Sequence, residues 1–314
     1  MGTAVECQAF HGAPDQARRA VEAAFAAVRQ VDRDMSVYRP DSDVGRLNRL
    51  AGQEVAIQPG TAAVLRASLE TARNSRGALD VTITPLLNQW GFYSVRNEAP
   101  GSAQLDAALA LVDYRRVHLD DVKGIVRLGR RGMQLDFGGT AKGFAVDQAV
   151  EALRTGDVRN GMVNAGGDLR LLGRHPDGEP WVVGVQHPLM PARLLMYLSL
   201  DGGAVASSGN YLRYRVYSGR RYGHLLHPRS GYPADTALSM TVVAATAMRA
   251  DALATAALVM GRDGLAWLAG QPGVEAVMVS RSPSRPDRLL VHASRGLRDR
   301  ITLLDGTATV EAVS

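Results

Sequence analysis

The stretch MTVVAATAMRADALATAALVM, residues 240–260, changes its periodicity half-way along. MTVVAA is made of β-branched and aliphatic residues and reads as a strand, whereas AMRADALATAALVM reads as an alanine-rich helix. One acid, Asp251, falls in the apolar part of that helix, and Thr255 follows four residues later. At that spacing the carboxylate and the hydroxyl share a face. Two readings fit. Asp251 can complement the helix dipole in an early turn while Thr255 bonds back to the backbone. Alternatively, the two oxygens form part of a hard-cation site, the kind Mg²⁺ prefers. The residues alone leave both open.

Outward from this stretch, helical spacing recurs over residues 14–34, 61–75, 101–113 and 140–155, the last stopped near Gly156. Strands are expected at VRNGMVNAGGDLRLLG, WVVGVQ and LLMYLSL, besides MTVVAA. Helices and paired strands mix without regular β–α alternation. That order points to an α+β fold, with mixed and antiparallel sheets packed against helices, rather than a doubly wound parallel sheet. With no internal repeat and no low-complexity linker, residues 1–314 are expected to form a single domain.

The chain has 314 residues, 46% of them hydrophobic, enough for a sizeable core. Its formal charge of +5 comes from arginines spread along the sequence, with no block of five or six like charges and only 5% aromatic residues. A nucleic-acid groove with stacking platforms therefore has no support, and affinity for small anions is the milder reading. One cysteine, Cys7, excludes a disulfide framework and a cysteine-rich zinc site. The seven histidines form no HExxH pair, and no apolar run reaches the length of a membrane helix.

Four segments concentrate glycine beside polar residues: RGALDVTITPLLNQWGF (76–92), LDFGGTAKGFAVD (135–147), VNAGGDLRLLG (163–173) and ASSGNYLRYRVYSGRRYGHLLHPRSGYP (206–233). Gly138–Gly139 opens a helix, where free amides can face an anion, and Lys142 sits in its first turn.

Taken in order, these segments and MGT (1–3), MSVYRPDSDVGRLN (35–48) and MRADALATAA resemble the ApbE family of FAD:protein FMN transferases over nearly the whole chain. The resemblance implies binding of FAD and Mg²⁺, transfer of the FMN half to a threonine hydroxyl of a target protein, and release of AMP. It implies that Asp251 and Thr255 are Mg²⁺ ligands, joined by the backbone carbonyl of Gly139. It also assigns Met1, Tyr38, Ala78, Leu79, Asp80, Asp136, Lys142 and Leu226 to FAD contacts. His224 is the candidate base for the incoming threonine, since an imidazole titrates near neutrality.

Two positions depart from the family pattern. HLLHP places His227 where H-x-x-D-P would have an acid, and Ala254 stands where some members carry a further acid beside the metal-binding threonine. His227 implies weaker activity or a different pH profile, and Ala254 one possible Mg²⁺ ligand fewer; neither deletes the core set, so an active enzyme is expected. An FAD-binding protein without transfer, or a hydrolase giving FMN and AMP, are the competing functions. The start of the chain lacks signal-peptide features, so a cytoplasmic location is expected for the chain as given, or the periplasm or cell envelope if a leader precedes it. The tail DGTATV (305–310) only partly echoes a flavin-acceptor motif; it is read as a turn, and the acceptor as a separate protein.

Overall fold

The computed structural model describes residues 2–211, 213–285 and 287–312. Its centre is an eight-stranded sheet whose strands lie side by side in chain order: Val5–Phe10, Asn160–Ala165, Asp168–Leu172, Gly203–Gly209, Ser239–Ala244, Glu275–Arg281, Leu289–Ala293 and Ala308–Ala312. Neighbours pair antiparallel except the last two, which are parallel. The fold is α+β.

Period-two patterning explains why both faces of this sheet are covered. In Glu275–Arg281, Val277 and Val279 join one apolar cluster while Ala276 and Met278 join another. On the first face lies a three-stranded sheet formed by Trp181–Gln186, Leu194–Leu200 and Ile301–Leu303, which contributes Trp181, Val183, Leu195 and Leu198. On the other face lie the helices Ala141–Thr155 and Ala247–Met260, with Pro14–Met35 packed against the first of them. A small sheet of Glu54–Ala56, Val117–Asp120 and Ile125–Leu128 closes the outer end of that helical layer.

The expected helices at 14–34, 61–75, 101–113 and 140–155 form as Pro14–Met35, Pro59–Asn74, Ser102–Leu109 and Ala141–Thr155. The glycine-containing run from Val158 is two strands, not one. Gly166 and Gly167 take φ of +61° and +96°, the left-handed pair that a two-residue hairpin turn requires. In the tail, Asp305 accepts from the amide and hydroxyl of Thr307, and Thr309 lies in the last strand opposite Leu290. Among the described residues no helix is long and apolar enough to cross a membrane.

Candidate active site

The helix Ala247–Met260 is aimed by its first turn. Thr246 caps it by accepting from Arg249 N–H at 3.3 Å. Asp147, on the Ala141–Thr155 helix, accepts the next two free amides, Ala247 N–H and Met248 N–H, at 2.9 Å each. Arg170 holds Asp147 in turn at 2.9 Å. The two helices touch at Gly143, where a Cβ would stand 2.2 Å from Ala247 O. Only glycine allows that approach. It brings Lys142, one residue away, to the helix that carries Asp251.

The resulting polar floor is an ion cluster. Lys142 Nζ lies 2.7 Å from Asp168 Oδ2, 3.1 Å from both oxygens of Asp251 and 3.2 Å from Gly138 O. Asp251 also accepts from Gly143 N–H at 3.3 Å. Burial alone would lower the Lys142 pKa, but the two carboxylates outweigh it and hold the ammonium charged. Burial, and then the neighbouring Asp251, push the Asp168 carboxyl well above the usual carboxylate range. With both acids ionised, two carboxylates would face one ammonium, an imbalance that the raised Asp168 pKa relieves by favouring its neutral form.

Beside Asp251 the available donors are all oxygen. Thr255 Oγ1 is 3.2 Å from Ser208 Oγ, and a Cβ on Gly139 would be only 2.9 Å from Thr255 Oγ1, so the Gly139 backbone lies against that hydroxyl. A carboxylate, a hydroxyl and a neighbouring backbone carbonyl fit a hard divalent cation such as Mg²⁺. Among the described residues no group of three His, Cys, Asp or Glu side chains could hold a metal, so a softer, imidazole- or thiolate-rich site is not formed there.

Above the floor opens a cavity of about 470 Å³, within the range of small-molecule sites. Tyr38, Ala78, Leu79, Asp80, Asp136, Gly139, Lys142, His224, Leu226, Asp251 and Thr255 all line it. Met1 lies outside the described residues. Tyr38 is 66% exposed and meets Tyr93 edge-on, with ring centroids 5.5 Å apart. Tyr93 donates its hydroxyl to Asp136 Oδ2, and Gly138 N–H donates to Asp136 Oδ1. Asp80 is more heavily engaged, accepting from the amide and hydroxyl of Thr82 and from Tyr114 N–H. Asp136 therefore keeps more capacity for a ligand than Asp80 does.

His224 sits where residues 214–223 return to the cavity. Its Nδ1 is 3.1 Å from Arg213 O. A carbonyl only accepts, so the neutral ring carries its proton on Nδ1 and leaves the Nε2 lone pair free. Although part of its surface opens to the cavity, protein surrounds the ring on most sides. That desolvation, with the charges of Arg213 and Lys142, brings its pKa from 6.5 down to about 4.

The sequence matches the ApbE family over residues 1–278. The chain belongs to the ApbE family. A Haemophilus influenzae protein named FAD:protein FMN transferase is 32% identical over 266 residues, 82% of this chain and 77% of the relative. A Treponema pallidum protein of the same name is 32% identical over 312 residues, 93% and 84% of the two chains. Among solved structures, the ApbE protein of Thermotoga maritima superposes with a TM-score of 0.82 at 33% identity, covering 90% of this chain and 94% of its own. The flavin transferase ApbE of Vibrio cholerae gives 0.85 at 28% identity, covering 96% of each.

In this ApbE family member the two departures read differently once placed. Ala254 is fully buried in the apolar cluster with Ala206, Met240 and Leu258, and does not line the cavity. The expectation that it subtracts a Mg²⁺ ligand is corrected, because that face of the helix meets the sheet. His227 is also absent from the cavity wall; its Nδ1 accepts from Arg229 N–H at 3.2 Å, closing the turn as an acid would. Sequence reasoning passed over Asp168, Tyr93, Ser208 and Arg213. Asp168 lay inside the quoted VNAGGDLR, and a buried acid directly after a Gly-Gly turn was the available signal.

Proposed function

We propose that this protein transfers the FMN moiety of FAD to a threonine hydroxyl of a separate acceptor protein, releasing AMP in a Mg²⁺-dependent reaction. The relatives named as FAD:protein FMN transferases support the reading. The observation that carries it is one cavity that combines a neutral imidazole, a fixed ammonium and an all-oxygen donor set.

The chemistry is phosphoryl transfer, in which positioning and charge neutralisation do most of the work. The threonine oxygen bonds to the FMN phosphorus as the anhydride bond to AMP breaks, and AMP leaves with the electron pair. His224 Nε2 takes the hydroxyl proton, and the Arg213 carbonyl holds the ring in the tautomer that can do so. Lys142, fixed by Asp168, presents positive charge to the diphosphate. Asp251, Thr255 and the Gly139 carbonyl would hold Mg²⁺, which when bound supplies further neutralisation of the phosphate oxygens. Tyr38 and Leu226 offer apolar surface to flat rings, and Asp136 offers a hydrogen-bond acceptor.

Incubation with FAD and Mg²⁺, with and without a threonine-bearing acceptor, separates the alternatives. Transfer gives AMP and a flavin-labelled acceptor. AMP with free FMN would make the protein a hydrolase, and no AMP would make it a binder.

A further inference from the structure

Residues 202–234 contain five arginines, Arg213, Arg215, Arg220, Arg221 and Arg229, and no acid. The charge of this one segment equals the formal surplus of +5 of the whole chain. Several exposed arginines elsewhere pair with an acid, some three residues away, as in Arg18–Asp15 and Arg154–Glu151, and some distant in sequence, as in Arg66–Asp121. Among the described residues none of these five pairs with a carboxylate. Four of them lie on or beside a two-stranded hairpin, Tyr214–Tyr217 with Arg220–Gly223.

The hairpin presents these cations in a particular way. Arg221 lies over the Tyr214 ring at 4.6 Å, and Arg220 over Tyr222 at 5.2 Å. Both arginines are exposed. Stacking fixes the guanidinium plane and leaves its N–H edge free for a carboxylate, which it meets with two parallel hydrogen bonds. At its base, Arg213 O holds both the backbone N–H and the ring of His224, each at 3.1 Å. A chain seated on this hairpin therefore lies beside the proposed base.

We propose that the 214–223 hairpin docks the acceptor protein and selects an acidic segment next to the residue that receives the flavin. The proposal rests on the transfer reading above. An anionic membrane surface would suit the charge equally, but the hairpin's root in the cavity wall favours a substrate that must reach His224.

The test pairs two short synthetic peptides, each with a single threonine, flanked by Asp in one and by Asn in the other. Flavin incorporation is followed with FAD and Mg²⁺. The native protein is expected to show a KM about tenfold lower for the Asp peptide at low salt, an advantage that shrinks as salt screens it. The double variant Arg220→Glu with Arg221→Glu is expected to lose or invert that preference. A control double variant, Arg18→Glu with Arg19→Glu on the exposed side of the first helix, changes net charge equally and should leave the preference intact. Equal KM values in the native protein, or a preference that survives in the hairpin variant, would overturn the docking proposal alone. It would equally be overturned if the hairpin variant kept the preference but lost binding to anionic phospholipid vesicles that the native protein binds. AMP release with neither peptide labelled would overturn the transfer reading, and the docking proposal with it.

Discussion

Lys142 Nζ stands 2.7 Å from Asp168 Oδ2 and 3.1 Å from each oxygen of Asp251, so one ammonium holds two buried carboxylates together. Removing it should be costly. Lys142→Met is expected to destabilise the protein by about 3–5 kcal/mol, the usual consequence of leaving buried charge uncompensated. The denaturant midpoint measures this. In the FAD-free variant Mg²⁺ should raise the melting temperature more than in the native protein, because the acids have lost their resident cation. An equal Mg²⁺ response in both proteins would count against a cation site at Asp251.

Asp251→Ala should behave in the opposite way. It leaves Lys142 and Asp168 as a matched pair, so the fold should survive. The Mg²⁺ concentration for half-maximal AMP release should rise by about 10–100-fold or more, since the cation loses its one charged protein ligand. Thr255→Val removes a neutral oxygen of similar shape and should be milder. An unchanged Mg²⁺ dependence in Asp251→Ala would remove the assignment.

Much of this arrangement was legible in the sequence, and the limits have physical causes. Periodicity located the principal helices because each buries one stripe. The paired strand and helix of residues 240–260 placed Asp251 and Thr255 on one face, as observed. Periodicity could not show that Ala254 turns toward the sheet, because an alanine-rich helix carries no apolar contrast around its axis. Nor could it pair Lys142 with Asp251, 109 positions along the chain, since that contact depends on Gly143 allowing two helices to touch. The strand Val5–Phe10 went unread because its residues alternate between half-buried and exposed at a sheet edge, with weak hydrophobic contrast.

His224 makes a pH prediction. With its pKa lowered to about 4, the ring is already neutral through the ordinary working range. The acid limb of kcat/KM, which reports the free enzyme, should therefore fall near pH 4 rather than near 6.5. The same shift has a stability consequence. The unfolded chain takes up this proton near 6.5, so the contribution of the neutral ring is complete above that pH and is lost as pH falls toward 4. His224→Ala should slow transfer by about 10²–10⁴-fold while retaining FAD binding. Equal loss of binding and rate would make the residue a positioning group.

His227→Asp tests the departure from the family pattern. The imidazole closes its turn through Arg229 N–H and stays off the cavity wall, and a carboxylate can accept the same bond. The variant is expected to transfer flavin at a rate within about threefold of the native protein, with a similar pH profile. A large gain in rate would show that an acid at 227 acts on the chemistry directly.

In the proposed reaction a threonine oxygen, not water, attacks the flavin phosphate. The most direct measurement runs the reaction in water enriched in heavy oxygen, with FAD, Mg²⁺ and a threonine-bearing acceptor, and weighs every product. The expected products are an acceptor heavier by one FMN less one water, AMP in equal amount, no heavy oxygen in either, and no labelling when the acceptor threonine is replaced by valine. Heavy oxygen appearing in free FMN, with the acceptor mass unchanged, would contradict it.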